Sequence, residues 1–225
     1  MKKDFNKYFE NTTLDYDINR GIVEKLLLDT LKYDFYGACV DGYHIPLAWD
    51  YLEGSGIQVV TVCGFPLGTS GTNSKCAEAF EAIKDGAEEI DAMMNVAAIK
   101  DRKFDYIASE VTALADICHS EGVKLKMILE TAYLTDDEIV RLCEIGISKN
   151  VDFIRDSSGF SRIGATPRTV KLIKDTVGDN CQVKAAGKIW TLAQANELIE
   201  AGADIIGTDA AMEIMEEYIA TKKED

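Results

Sequence analysis

Short runs rich in Val, Ile and Ala alternate with longer segments of helical periodicity along the chain, and this alternation constrains the fold most strongly. A parallel strand that is buried on both faces has such an apolar sequence, and the helix that follows connects it to the next strand. Eight runs begin near these residues: Phe9, Tyr36, Gln58, Glu89, Lys124, Asp152, Gln182 and Asp204. Eight evenly spaced βα units predict an α/β protein of the closed TIM (β/α)8 barrel type rather than an open sheet.

Length and composition fit one domain of this kind. The chain has 225 residues, of which 47% are hydrophobic, and this is enough for one sizeable core. We find no linker and no low-complexity segment, so we expect a single domain over residues 1–225. Two predicted helices, 75–85 and 192–201, each stop before a Gly-Ala pair that turns into the next strand.

The charge and the cysteine pattern exclude several classes of partner. A net charge of −15 argues against binding to nucleic acid or to an anionic membrane surface, because both attract basic surfaces. No apolar stretch is long enough to span a membrane, and the first residues lack the apolar segment of a signal peptide. The 6 cysteines are widely spaced, without the clusters that bind metals. We therefore expect a cytoplasmic protein without a metal site.

Several charged residues lie inside the predicted strands, where alternate side chains point to opposite faces. In the strand that begins at Glu89, apolar Ile90 and Ala92 face the helices, so Asp91 faces the barrel interior. The same argument over four strands predicts these inward-facing side chains: Asp91, Met93, Asn95, Lys126, Ile128, Glu130, Arg155 and Lys184. Ion pairs that serve packing alone are one explanation for the five charges. Because buried charge is costly, however, their convergence favours a functional site.

The order of several motifs resembles that of the deoxyribose-phosphate aldolase family. The segments that carry the resemblance are Val62–Gly68, Gly86–Asp91, Leu125–Thr131, Ser157–Phe160 with Gly164–Thr166, Val183–Gly187, and Gly202–Ala203 with Ile206–Thr208. Glu10–Leu14 resembles the family pattern D-H-T-L-L less closely. The resemblance covers nearly the whole chain. It implies a class I aldolase that cleaves 2-deoxyribose 5-phosphate to acetaldehyde and glyceraldehyde 3-phosphate without a cofactor. It also implies a small aldehyde or sugar phosphate as partner, and a homodimer is expected.

The resemblance also implies roles for individual residues. A family lysine on the sixth strand forms an imine with the substrate, a second lysine on the seventh strand activates it, and an aspartate on the fourth transfers protons. Asp91 matches the aspartate and Lys184 the second lysine, while Lys126 matches a lysine that does not form the imine. The family pattern V-K-T-S-T-G-F becomes Ile154–Phe160 here, with Arg155 at the imine position. A guanidinium is effectively always protonated, so Arg155 cannot form the imine.

The family binds phosphate through backbone amides and glycines after the seventh and eighth strands, and two changes fall there. A-A-G-G-I becomes Ala185–Ile189, and G-T-S-S-G becomes Gly207–Ala211. The residues predicted to bind substrate or its phosphate are Asn11, Ser157, Gly187, Lys188, Gly207, Thr208 and Asp209. Asp209 would repel phosphate, whereas Lys188 adds a positive charge. The natural substrate is therefore expected to differ from that of the family.

Three functional hypotheses remain open. In the first, the chain is an altered aldolase in which Lys184 forms the imine and Arg155 is the cation that lowers its pKa. In the second, it is a non-catalytic relative that binds a sugar or a carboxylated metabolite through Arg155, Lys184 and Lys188. In the third, it is another lyase or an isomerase, with Asp91 or Glu130 as general base and Arg155 stabilising an enolate.

Overall fold

In the computed structural model, which describes residues 3–224, eight parallel strands close into a barrel. Each strand pairs with the next in chain order, and the last pairs with the first. The strands are β1 (Phe9–Thr12), β2 (Gly37–Val40), β3 (Gln58–Cys63), β4 (Glu89–Met93), β5 (Lys124–Ile128), β6 (Phe153–Arg155), β7 (Gln182–Ala186) and β8 (Ile205–Thr208). The predicted barrel is confirmed. Strands β1, β3, β4, β5 and β7 begin at the predicted residues, and the other three begin one residue later.

Helices connect the strands and surround the barrel. They are α1 (Arg20–Tyr33), α2 (Ile45–Leu52), α3 (Thr72–Lys84), α4 (Val96–Lys100), α5 (Phe104–Ser120), α6 (Asp136–Ser148), α7 (Pro167–Val177), α8 (Leu192–Glu200) and α9 (Ala211–Glu224). Short 3-10 helices occur at Phe5–Tyr8, Gly42–His44 and Thr131–Tyr133. The helix predicted at 75–85 begins earlier, at Thr72, because its first turn is polar and apolar periodicity does not detect it. No helix within residues 3–224 is long and apolar enough to cross a membrane.

Three threonines fix the starts of the helices that follow β5, β6 and β7. The side chains of Thr135, Thr166 and Thr191 each accept a hydrogen bond from the backbone amide three residues later. The side chain of that later residue in turn accepts a hydrogen bond from the backbone amide of the threonine. Such a capping box satisfies two backbone donors that a helix start otherwise leaves free. The caps therefore hold the ends of three loops at the C-terminal face of the barrel.

The apolar core lies between the strands and the helices. Ile90, Ala92, Leu125, Met127 and Ile154 are fully or almost fully buried in this layer, as strand alternation predicted. Burial of a large aliphatic side chain contributes about 1.5–3 kcal/mol to folding, so this layer fixes which way each strand faces. The alternate residues of the same strands point into the barrel interior, and they include the charged ones.

Candidate active site

A guanidinium, an amine and a carboxylate from three strands meet inside the barrel. Asp91 on β4 accepts hydrogen bonds at the same oxygen, Oδ2, from Arg155 Nη1 and from Lys184 Nζ, each at 2.6 Å. Arg155 on β6 is the register partner of Lys184 on β7, which places the two cations side by side. Burial alone would raise the pKa of Asp91, but the charges of Lys126, Lys184 and Arg155 lower it well below its usual range. The predicted convergence of these residues is confirmed.

Lys126 on β5 occupies a deeper layer of the same cluster. Its Nζ lies 2.9 Å from Glu10 Oε2, 2.6 Å from Glu89 Oε2 and 3.0 Å from Asp91 Oδ1. Burial would lower the pKa of Lys126, yet these three carboxylates raise it well above its usual value. Glu10 also pairs with Lys184. With Arg155, the six buried groups carry three positive and three negative charges, so the cluster is electrically balanced.

Two members of this cluster, Glu10 and Glu89, are absent from the sequence-based prediction. Glu89 has the same strand parity as Asp91, so alternation alone would have placed it inside the barrel. Glu10 lies in the first strand, where only the weak resemblance of Glu10–Leu14 to a family motif drew attention. Both are fully buried, and their carboxylates neutralise the lysines.

Arg155 forms the boundary between this cluster and the open end of the barrel. Its Nε donates to the carbonyl of Ser157 at 2.8 Å, and its Nη2 donates to the carbonyl of Ser158 at 2.9 Å. The guanidinium carbon lies 5.9 Å from the centre of the Phe65 ring. The residue is 2% exposed, but it lines a cavity at the C-terminal ends of the strands. Active sites of (β/α)8 barrels form at this face.

We call that space, of about 150 Å³, the mouth cavity. It is lined by Thr12, Thr13, Leu14, Asp15, Arg155, Ser158, Gly159, Phe160, Gly187, Lys188, Trp190, Gly207, Thr208 and Asp209. Five of the residues predicted to bind substrate, from Gly187 to Asp209, lie here. The backbone of Lys188 is left-handed, with φ at 61°, and its Nζ lies 5.9 Å from the centre of the Trp190 ring. The cavity therefore brings together cationic and anionic side chains.

Lys184 lies directly beneath this cavity. A Cβ added to Gly207, which lines the cavity, would lie 2.8 Å from Lys184 Cε and 3.6 Å from its Nζ. A side chain at position 207 would therefore displace the end of the Lys184 side chain, which pairs with Glu10 and Asp91. Lys184 is fully buried and does not line the cavity, so only a change in the side chains above it would expose the amine.

Two predicted substrate-binding residues, Asn11 and Ser157, do not line the mouth cavity, and their binding role stays a prediction. Asn11 alternates with Glu10 and so faces α1, where its Nδ2 donates to Leu26 O at 3.3 Å and Thr30 Oγ1 at 3.2 Å. Ser157 is fully buried outside the mouth cavity, and its Oγ donates to Glu130 at 3.2 Å. The backbone carbonyl of Ser157 accepts the hydrogen bond from Arg155 Nε.

Glu130 and Asn95 were predicted to face the barrel interior, and this prediction is wrong. Strand β5 ends at Ile128, so alternation no longer applies at Glu130, which is left-handed with φ at 61°. Its carboxylate accepts from Ser157 Oγ, from the amide and hydroxyl of Ser158, and from Ser161 Oγ at 3.0 Å. Asn95 follows the end of β4 and instead caps α4.

We call a second space at the same face, of about 330 Å³, the apolar cavity. It is lined by Pro66, Leu67, Met93, Val96, Glu130, Tyr133, Ser158, Phe160 and Ser161. Ser158 and Phe160 line both cavities, so the two are neighbours. The sequence-based prediction did not include this cavity, because most of its lining residues lie in loops.

Asp156 is a further buried acid that the sequence-based prediction omitted. Its Oδ1 accepts from the amide of Ala186 at 2.9 Å, while Oδ2 has no hydrogen-bond partner among the described residues. Burial raises the pKa of Asp156 to about 7, although the Ala186 amide and Arg155 lower it. Asp156 follows Arg155 at the place where the family pattern has threonine.

Comparison with known proteins identifies the family. Residues 50–197 match the family described as DeoC/LacD family aldolase. A deoxyribose-phosphate aldolase of Thermococcus kodakarensis is 39% identical over 217 residues, which are 96% of this chain and 97% of that protein. One of Finegoldia magna is 41% identical over 213 residues, or 95% of this chain and 99% of that protein.

Solved structures agree with this result. The aldolase QR15 superposes with a TM-score of 0.92 at 36% identity, covering 97% of each chain. A tetrameric deoxyribose phosphate aldolase from Aeropyrum pernix superposes with a TM-score of 0.89 at 25% identity, covering 96% of this chain and 91% of that one. The chain described here therefore belongs to the DeoC/LacD family of aldolases.

Proposed function

We propose that the protein is a carbon–carbon lyase of the aldolase type that acts on a small aldehyde or sugar phosphate. One observation carries the proposal: in a barrel of an aldolase family, Lys184 Nζ and Arg155 Nη1 both lie 2.6 Å from Asp91 Oδ2. The amine is a nucleophile, the carboxylate is a proton acceptor, and the guanidinium is a fixed positive charge. Identity of 39% to an aldolase over 96% of this chain supports it further.

In this proposal Lys184 forms the imine that Arg155 cannot form. The Lys184 ammonium gives a proton to Glu10, and its nitrogen then attacks the carbonyl carbon of the substrate. Glu10 returns that proton to the carbinolamine hydroxyl, which leaves as water. The protonated imine that results accepts the electron pair of the breaking carbon–carbon bond. A carboxylate removes the proton of the substrate hydroxyl as that bond breaks, and Asp91 is the residue placed to do so. Protonation of the enamine and hydrolysis then release the second product and regenerate the amine.

Arg155 affects this reaction through its charge and through its position. Its charge does not vary in the accessible pH range, so it remains a cation beside Lys184 throughout the reaction. It also lies between Lys184 and the mouth cavity, so a carbonyl that enters from the cavity must displace or pass the guanidinium. We therefore expect the reaction to require a movement of Arg155 away from Asp91.

A non-catalytic binding protein is the second candidate, and the burial of Lys184 favours it. The lysine side chain is 1% exposed and pairs with both Glu10 and Asp91. Arg155 and Lys188 line the mouth cavity, where they could bind a carboxylate or phosphate without any reaction. The third hypothesis is less well supported at Glu130, because serine donors already occupy that carboxylate.

Reductive trapping distinguishes the two candidates. The protein is incubated with sodium borohydride and either 2-deoxyribose 5-phosphate or acetaldehyde, and peptides are then analysed by mass spectrometry. The lyase proposal expects an adduct on Lys184 that is lost in Lys184→Met and kept in Lys171→Met, a control at an exposed lysine. If no lysine carries an adduct, the lyase proposal is wrong. A rise in melting temperature with a sugar phosphate, without turnover, would then support the binding protein.

Three further features stay predictions: the absence of a metal or cofactor, the cytoplasmic location and the homodimer. The Aeropyrum pernix relative is described as tetrameric, so an assembly larger than a dimer occurs among the relatives. Light scattering on the purified protein would measure the assembly directly. A mass near that of one chain, 24.8 kDa, would contradict the homodimer.

A further inference from the structure

The apolar cavity and the mouth cavity are neighbours at the β6–α7 loop. Ser158 and Phe160 line both cavities, and Arg155 donates to the carbonyl of Ser158 directly between them. Phe160 is held by edge-to-face contacts with Phe65 at 5.2 Å and Tyr16 at 5.8 Å between ring centres. A ligand that reaches Arg155 from the mouth cavity therefore lies next to the apolar cavity.

The side chains around the apolar cavity leave large apolar groups in contact with water. Leu67 is 70% exposed, Tyr133 57% and Phe160 40%. Covering such groups with an apolar ligand is favourable because it removes their surface from water. Among the described residues that line the cavity there is no lysine, arginine or histidine.

The buried acid of this cavity disfavours anionic ligands. Glu130 is 4% exposed, and four donors from Ser157, Ser158 and Ser161 surround its two oxygens. A carboxylate has about four acceptor positions, so these donors occupy its hydrogen-bonding capacity without neutralising its charge. An anion placed in this cavity would meet the uncompensated charge of Glu130.

The apolar cavity is also larger than the smallest aldehydes. An apolar cavity of about 150 Å³ is enough to hold benzene in an engineered protein. The space here is about 330 Å³. Acetaldehyde, with three non-hydrogen atoms, would leave most of it empty.

We propose that the apolar cavity binds an uncharged aryl or branched-alkyl group of the substrate, so that the preferred aldehydes carry such a group. This assignment names the substrate class of the lyase and rests on the proposed function. The mouth cavity then receives the polar end of the molecule beside Arg155 and Lys188. The ligand bridges the two cavities across Ser158.

A binding experiment tests the assignment without requiring any reaction. Benzyl alcohol is titrated into the whole protein, and saturation-transfer NMR measures its affinity. Val96→Trp fills the cavity, so the affinity should fall by about tenfold or more. Tyr43→Ala is the matched control, because Tyr43 is an aromatic residue, 87% exposed, that lines neither cavity. Its affinity should equal that of the wild type.

A second variant, Leu67→Glu, tests the assignment if Val96→Trp does not fold. Leu67→Glu adds a charge at a side chain that is 70% exposed, and it should weaken benzyl alcohol binding by about tenfold as well. The assignment is overturned if benzyl alcohol does not bind, or if it binds equally to the wild type and to the folded cavity variants.

Trapping with borohydride then separates this assignment from the proposed function. Phenylacetaldehyde should give about tenfold more Lys184 adduct than acetaldehyde at equal, subsaturating concentration, and Val96→Trp or Leu67→Glu should remove this preference. Equal trapping of both aldehydes overturns the substrate class but leaves the lyase intact. Binding of benzyl alcohol without an adduct on any lysine overturns the lyase, and with it the substrate class.

Discussion

Replacement of Asp156 by asparagine should stabilise the protein, and more so at high pH. The carboxyl is fully buried, its Oδ2 has no partner among the described residues, and burial raises its pKa from an ordinary value near 3.8 to about 7. Below about pH 4 the group is protonated in both the folded and the unfolded chain. As the pH rises toward 7, the unfolded chain ionises and the folded one does not, so folding becomes less favourable. Above pH 7 the folded chain holds an unpaired buried charge.

The magnitude follows from the two pKa values. At about 1.4 kcal/mol for each pH unit between them, the cost reaches about 4 kcal/mol at pH 8, as an upper bound. About 3 kcal/mol of that cost develops between pH 5 and pH 8. Asparagine keeps an oxygen for the Ala186 amide and cannot ionise, so Asp156→Asn removes the cost and keeps the hydrogen bond.

Urea unfolding followed by circular dichroism at pH 5, 6, 7 and 8 measures this effect. The free energy of unfolding of Asp156→Asn minus that of the wild type should be positive and should grow with pH. Asp175→Asn is the control, because it makes the same substitution at an exposed acid on the barrel's outer surface. The reasoning is refuted if Asp156→Asn gains the same stability at pH 5 and pH 8, or loses stability at pH 8.

Other substitutions test the ion cluster and the mouth cavity. Arg155→Lys restores an amine at the family's imine position, so cleavage of 2-deoxyribose 5-phosphate in a coupled assay should rise by about tenfold or more; no rise would show that more than the nucleophile has changed. Lys126→Met leaves buried carboxylates without their shared cation and should lower the free energy of unfolding by about 3–5 kcal/mol, whereas a loss below about 1 kcal/mol would contradict the charge balance. Asp209→Ser removes an anion from the mouth cavity and should strengthen binding of inorganic phosphate by about fivefold at low salt, while Lys188→Ala should weaken it; unchanged affinities would place phosphate elsewhere.

The barrel could be predicted from the sequence because its signal is repeated. Eight apolar runs each mark a strand, and packing against the helices fixes the parity of strands such as β4 and β5. That parity correctly placed Asp91, Lys126, Arg155 and Lys184 inside the barrel, since all four lie within strands.

The errors in the site have a common physical cause. Alternation holds only while the backbone is extended, and it fails at Asn95 and Glu130, which follow the last residues of their strands. Asn11 was assigned from a weak resemblance, although the parity of β1 opposes it. The apolar cavity depends on loop positions, such as those of Leu67 and Tyr133, that no local pattern in the sequence specifies.

The balanced charges of the barrel interior limit which residues can occupy position 155. A lysine or an arginine supplies the third positive charge of the cluster, whereas an uncharged residue would leave one excess negative charge among buried side chains. Retention of a cation at this position can thus be maintained by folding alone, whatever becomes of the chemistry. In this family a chain can therefore lose the reactive amine and still keep its native structure. A comparison of sequences that records only the charge at this position would not detect that loss.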